Sequence, residues 1–166
     1  MKTVSDAMTR GVRSLSPEDN IVFAAQAMDE LNVGAIPVCD GHRLVGMVTD
    51  RDIVVRAVAQ DCRLSSTKLR EVMSTEVKWV RDSAPVDEVL REMSRSQVRR
   101  VPVVDDARHL VGMLSLGDVA AKGTTDSAAV VGASLGEISR PARPDRSSQS
   151  APSGPAGGGA EGSAAR

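Results

Sequence analysis

Apolar and polar residues change period twice in the first third of the chain. Ile21, Ala24, Ala25, Met28 and Leu31 recur at helical spacing on one face, which predicts an amphipathic helix over roughly Asp19 to Leu31. Pro17 stands near its start, where the absence of an N–H does no harm. The pattern then becomes continuous and apolar over Ala35 to Cys39 and Leu44 to Val48. Asp40-Gly41-His42-Arg43 lies between these runs, and Asp-Gly between apolar runs signals a β-hairpin. A helical turn at Ser5 to Met8 and a short apolar strand near Val12 to Leu15 come before the helix, and a further helix starts at Thr49. The unit reads β-α-β-β-α.

The same pattern returns. A shift of 65 positions lays Met8 on Met73, Val12 on Val77, Met28 on Met93, Val33 on Val98, Pro37 on Pro102 and Asp40 on Asp105. The second copy gains one residue in its turn, and at a shift of 66 Leu44-Val45-Gly46-Met47 falls on Leu110-Val111-Gly112-Met113 and Asp52 on Asp118. Matches kept in order across a whole unit identify a duplication. The second copy has its turn at Leu69 to Met73, strand at Val77 to Val80, helix at Val86 to Ser96 after Pro85, hairpin at Val101 to Val104 and Leu110 to Leu114, and last helix from Ser115. A unit this small buries little surface alone. The expected fold is therefore α/β (α+β), with two βαββα repeats packed through their sheets as a pseudo-two-fold pair that shares a core. Repeat 1 covers 4–60 and repeat 2 covers 69–125, with a linker at 61–68. Beyond them Gly, Ala, Ser and Pro dominate, so 141–166 reads as a disordered tail. Val131, Leu135 and Ile138 lie at helical spacing and predict a short docking helix within 126–140.

Each hairpin is followed by a Gly, two apolar residues, a hydroxyl residue, two more residues and an Asp. The copies are Gly46-Met47-Val48-Thr49-Asp50-Arg51-Asp52 and Gly112-Met113-Leu114-Ser115-Leu116-Gly117-Asp118. Thr49-x-x-Asp52 and Ser115-x-x-Asp118 also fit a helix-capping box, so both pairs have a purely structural reading. Together with the apolar-Pro strand before it, this junction resembles the CBS domain, and the tandem resembles the CBS pair called a Bateman module. The resemblance covers residues 4 to 121. It implies a cleft between the repeats for an adenosine-bearing ligand such as AMP, ADP, ATP or S-adenosylmethionine.

The resemblance assigns roles residue by residue. Asp52 and Asp118 match the carboxylate that takes the ribose hydroxyls, and Thr49 and Ser115 match the hydroxyl at the helix start that touches ribose or phosphate. Ile36-Pro37 and Val101-Pro102 match the pair beside the adenine, with Val12, Val77, Met47 and Met113 as apolar contacts. Arg99-Arg100 replaces Gly34-Ala35 of the first repeat, which puts phosphate preference mainly with the second repeat. Arg51 would add charge near the first site. A regulatory module is implied, forming a homodimer and signalling to a separate effector protein. The alternative is a ligand-free scaffold for protein–protein interaction.

Composition narrows the remaining classes. Lys+Arg total 21 and Asp+Glu 22, a net charge of -1 that gives duplex nucleic acid no basic face. Phe23 and Trp79 are the only aromatic residues, too few for base-stacking platforms. There is no apolar run of membrane-spanning length and no signal-peptide core, so a cytoplasmic protein is expected. Cys39, His42, Cys62 and His109 lack compact zinc-ligand spacing, and no metal site is assigned. The nucleophile-elbow, Walker and dinucleotide patterns are missing, so no catalytic residue and no catalytic cofactor is assigned.

Overall fold

The two repeats interlock by exchanging their first elements. A computed structural model of the chain describes residues 2–122, 129, 131–133 and 135–136. Repeat 1 consists of α1 (Val4–Ala7), α2 (Ile21–Leu31), β1 (Ala35–Asp40), β2 (Arg43–Thr49) and α3 (Asp50–Ile53), which runs on into one π-helical turn at Val54–Val58. Repeat 2 consists of α4 (Leu69–Val72), β3 (Val80–Arg81), α5 (Val86–Arg95), β4 (Arg100–Val104), β5 (Leu110–Ser115) and α6 (Leu116–Lys122).

Helix α2 starts two residues later than its periodicity suggests. The Asn20 side chain caps it by accepting from the Val22 N–H at 2.7 Å, so Pro17 lies in the turn before the helix. Its buried stripe is Ile21, Ala24, Ala27 and Met28; Ala25 and Leu31 of the expected face are exposed. Asn32 ends the helix in the left-handed conformation, at φ 52°, and Gln97 does the same after α5 at φ 53°.

The expected strands at Val12 to Leu15 and Val77 to Val80 shrink and move toward their C-terminal ends. In repeat 2, β3 runs parallel to β4; in repeat 1 only Leu15 bridges to Val38. A proline accounts for the difference. The Asp82 N–H extends the repeat 2 ladder to the Val104 carbonyl at 3.1 Å, and the corresponding residue of repeat 1 is Pro17, which has no N–H to donate.

Strands β1 and β2, and β4 and β5, form the two hairpins, each with a register irregularity at the matching place, Val38/Cys39 and Val103/Val104. Helix α1 packs into the core of repeat 2, where Val4, Ala7 and Met8 join Val86, Leu90, Met93 and Leu114. Helix α4 packs into repeat 1, where Leu69 and Val72 join Ile21, Ala24, Ile36 and Val48. The expected single shared core is thus two larger cores, each completed by the other half, and a small cluster shared by both repeats. The sheets meet along a seam, with the Leu44 N–H donating to the Arg108 carbonyl at 3.1 Å and the Leu110 N–H to the His42 carbonyl at 2.9 Å. Cys39, Leu44 and Val104 are buried there beside Trp79.

The exchange explains the motif glycines. Thr9 and Met113 donate their N–H groups to each other's carbonyls at 2.8 and 2.9 Å, and Ser74 and Met47 do the same at 2.9 and 3.0 Å. A Cβ on Gly112 would stand 2.6 Å from the Thr9 carbonyl oxygen, and one on Gly46 2.7 Å from that of Ser74.

The docking-helix expectation for 126–140 falls partly on described residues. Those at 129, 131–133 and 135–136 are helical; Val131 is buried in the repeat 2 core and Leu135 is exposed. Ile138 and the expected tail at 141–166 lie outside the described residues.

Candidate functional site between the repeats

Strands β2 and β5 each deliver a hydroxyl residue to the start of a helix. The Thr49 N–H donates to Asp52 Oδ2 at 3.0 Å, and the Asp52 N–H donates to Thr49 Oγ1 at 3.0 Å. The Ser115 N–H donates to Asp118 Oδ2 at 2.8 Å, the Ser115 hydroxyl donates to the same oxygen at 2.6 Å, and the Asp118 N–H donates to Ser115 Oγ at 3.1 Å. Both carboxylates therefore close capping boxes.

Beyond the caps the two differ. Asp118 Oδ1 accepts from the Thr9 hydroxyl at 2.9 Å, a contact that reaches across the exchange from the other half of the chain. Burial alone would raise the Asp118 pKa. The hydroxyls of Ser115 and Thr9, the Ser115 N–H and the charge of Lys122 outweigh it and hold the carboxyl below its usual range. Asp52 Oδ1 instead stands 3.8 Å from Arg56 Nε.

Asp118 faces a cleft of about 370 Å³, within the range of roughly 300–1,000 Å³ common to small-molecule sites. One wall is Val12, Val33, Ala35, Ile36 and Pro37 of repeat 1, and the opposite wall is Arg100, Met113, Ser115 and Asp118 of repeat 2. Thr9, Arg10, Gly11 and Arg13 border it along the crossing segment. The structure thus brings Val12, Ala35, Ile36, Pro37, Arg100, Met113, Ser115 and Asp118 together out of the residues singled out in the sequence.

The remaining candidates are elsewhere. Val77 and Val101 line a second hollow of about 320 Å³, beside Trp79 and Met93. Met47, Thr49, Arg51, Asp52, Arg99 and Pro102 line neither hollow. Arg99 and Arg100 separate because successive residues entering a strand point to opposite faces. Arg51 is exposed on the short α3, and the cation beside Asp52 is Arg56, one helical turn on.

Sequence reasoning missed Thr9, Arg10 and Arg13 because they reach the cleft only through the exchange. The repeated hydroxyl pair, Thr9 and Ser74, was the available signal. It also missed a basic clamp. Lys122 Nζ donates to the Ala7 and Met8 carbonyls at 3.1 and 3.0 Å, and Arg56 Nη1 donates to the Val72 and Met73 carbonyls at 2.9 and 3.2 Å. Each cation holds the C-terminal end of the exchanged short helix, where carbonyls are left without helical partners.

Two interlocked βαββα units with a nucleoside-sized cleft between them define a CBS pair. The CBS domain family matches residues 4–58 and again 69–123, and the chain belongs to that family. Among its relatives, the CBS domain-containing protein YhcV of Bacillus subtilis is 41% identical over 84% of this chain and 96% of its own length. Hypoxic response protein 1 of Mycobacterium tuberculosis is 38% identical over 72% of this chain and 84% of its own length. The structure of Hypoxic Response Protein I aligns with a TM-score of 0.66 at 37% identity, covering 73% of this chain and 98% of that one, and holds two coordinated zinc ions. The CBS pair of MJ0100, in complex with 5′-methylthioadenosine and S-adenosyl-L-methionine, aligns at 0.63 with 30% identity over 73% of this chain and 94% of its own. CBSX2 in complex with AMP aligns at 0.65 with 28% identity over 73% of this chain and 95% of its own.

His42 and His109 meet edge to face across the seam, with ring centroids 6.2 Å apart. Among the described residues, however, no three His, Cys, Asp or Glu side chains are grouped to hold a metal ion. Among them too, no helix is long and apolar enough to cross a membrane.

Proposed function

We propose that this chain is a regulatory, non-enzymatic CBS pair that takes an adenosine-bearing ligand in the Asp118 cleft and passes the bound state to a separate effector protein in the cytoplasm. One observation carries the reading. The apolar-Pro segment of repeat 1 and the Ser115–Asp118 pair of repeat 2 line the same cleft, so a base at Ala35-Ile36-Pro37 and a ribose at Asp118 fit one bound molecule. The AMP complex of CBSX2 and the S-adenosyl-L-methionine complex of MJ0100 support the ligand class. Because both walls come from different repeats, ligand would couple their relative positions, and a partner that distinguishes the two states would read that coupling.

A thermal-shift series with AMP, ADP, ATP and S-adenosylmethionine tests this. At one hundred times Kd, binding to the folded state alone adds about 2.7 kcal/mol, which raises Tm by several degrees. The absence of a shift with every compound at millimolar concentration sinks the proposal. The ligand-free scaffold would then stand, and it has an observation of its own: both carboxylates already serve as helix caps.

We infer a homodimer formed through the helices of repeat 1. Val22, Phe23, Val54, Val55 and Val58 are exposed there, from 39% at Val22 to 55% at Val54. The corresponding residues of repeat 2 are Asp87, Glu88, Ala120, Ala121 and Thr124, so the apolar face occurs once per chain. A patch present once pairs with its own copy and closes a two-fold assembly. Light scattering should give a dimer, and Val55→Glu with Val58→Glu should give a monomer. A monomeric parent chain overturns the inference.

A further inference from the structure

We infer that the Asp118 cleft selects the phosphorylated, anionic members of the adenosine class and holds one of them per chain. This rests on the adenosine reading above and adds to it a charge requirement and a stoichiometry.

Four charged residues line the cleft: Arg10, Arg13, Arg100 and Asp118. Arg13 is neutralised, since its Nη1 pairs with Glu30 Oε2 at 3.0 Å. Arg10 is not, because among the described residues its guanidinium bonds only to the hydroxyl and carbonyl of Ser5. No carboxylate among the described residues pairs with Arg100. Two guanidinium charges therefore face the same space as a single carboxylate.

That carboxylate is nearly saturated. A carboxylate offers about four lone-pair sites, and Asp118 already accepts from the Thr9 hydroxyl, the Ser115 N–H and the Ser115 hydroxyl. What remains suits one sugar hydroxyl. The unpaired guanidiniums are left to be matched by the ligand, and their planar forks fit phosphate oxygens. Adenosine has no charge to offer them. S-adenosylmethionine brings one carboxylate against an ammonium and a sulfonium, a net cation entering a cationic cleft. A nucleotide phosphate supplies the missing anion at the end of the molecule away from the base.

The corresponding place in the other half lacks these features. Arg10-Gly11 becomes Thr75-Glu76, which replaces a cation by a neutral residue and adds an acid. The hollow there has Lys78 tied across its lining to Glu92 at 3.0 Å and to Ser96, and it contains neither Thr49 nor Asp52. Its carboxylate, Asp52, faces Arg56 instead. A site without the sugar-binding acid, with a threonine in the place of the phosphate-facing Arg10 and an added acid beside it, takes no nucleotide.

Isothermal titration of the full chain with adenosine, AMP, ADP, ATP and S-adenosylmethionine, at low and at moderate salt, tests the inference. The expected result is one ligand per chain, with AMP, ADP or ATP bound roughly tenfold or more tightly than adenosine and S-adenosylmethionine. Added salt should narrow that gap. Arg10→Gln and Arg100→Gln should each narrow it as well, and Arg63→Gln, an exposed charge outside the cleft, should not. Adenosine or S-adenosylmethionine binding as tightly as the nucleotides, or two ligands per chain, overturns the inference and leaves the adenosine reading intact. If none of the five binds, the adenosine reading fails first. The ligand series on the unaltered chain decides the matter even where a variant does not fold.

Discussion

Gly112→Ala places one methyl group where the exchanged segment crosses β5. The new Cβ would stand 2.6 Å from the Thr9 carbonyl oxygen and 2.8 Å from the Met8 sulfur. The sulfur sits on a flexible side chain and can move. The carbonyl cannot move alone, because it accepts the Met113 N–H at 2.9 Å while Thr9 donates back at 2.8 Å. Overpacking costs about 1–3 kcal/mol, and loosening one or two backbone bonds adds about 1 kcal/mol each. The expected loss is therefore about 2–5 kcal/mol, or a Tm lower by roughly 4–20 °C. Urea unfolding followed by circular dichroism and by fluorescence of Trp79, the only tryptophan, measures it. Gly117→Ala is the control, since its Cβ would meet nothing nearer than the Ser115 hydroxyl at 3.6 Å. That variant should be neutral or more stable by up to about 1 kcal/mol. Because the displaced Thr9 also loosens its bond to Asp118, Gly112→Ala should weaken the proposed nucleotide binding too. A variant within about 0.5 kcal/mol of the parent would refute the claim that the glycine exists to let the segment cross.

Other expectations follow from the same contacts. The Asp118 carboxyl is held below its usual range, so its contribution to stability is complete above the unfolded value near pH 4. It is lost as pH falls through the folded value. Asp118→Asn should lower Tm at pH 7, and the deficit should shrink on acidification below about pH 4; a constant deficit contradicts the assignment. Asp6, Glu92 and Asp105 are also held low and steepen the acid limb of both proteins alike. Lys122→Met and Arg56→Met each release two helix-end carbonyls and should each cost about 1–3 kcal/mol in urea unfolding; a neutral outcome for both would show that the clamps are ornamental. Burial pushes the Cys39 thiol up, against a hydrogen bond from Ser14. A maleimide should label Cys62 in the folded protein and reach Cys39 only on unfolding, and equal native rates would contradict the buried seam.

The repeat was legible because duplication leaves identical residues in order, and the hairpins were legible because an Asp-Gly turn and continuous apolar runs are local signals. What stayed hidden was non-local. Nothing in the periodicity of Val4 to Met8 says that its apolar side enters the other repeat, since a four-residue turn carries no record of its neighbour. The short first strand was over-read for a related reason. Val12 and Leu15 look alike in the sequence, yet only Leu15 pairs, and Pro17 two residues later forbids the rung that Asp82 makes in the second copy. The twin aspartates were found by motif, but both copies share the pattern of glycine, two apolar residues, hydroxyl residue and aspartate, and that pattern cannot tell them apart. The difference lies in Thr9, Arg10 and Arg56, two of which belong to the crossing segment.

The exchange also bears on how a bound molecule would be felt. If each repeat folded on its own elements, a ligand between them would bridge two independent bodies and could be accommodated by a small separation. Here the residue bonded to Asp118 is Thr9, its backbone is bonded to Met113, and its neighbours Ala7 and Met8 are built into the core of repeat 2 and held by Lys122. Arg10, Gly11, Val12 and Arg13 continue from that anchor along the cleft, and the chain reaches repeat 1 at the Leu15–Val38 bridge. A ligand that draws on Arg10 and Asp118 therefore pulls on a strap fixed at both ends, one in each core. On the proposed reading, small shifts of that strap would reach both repeats together, because packed cores move between discrete arrangements more readily than they stretch.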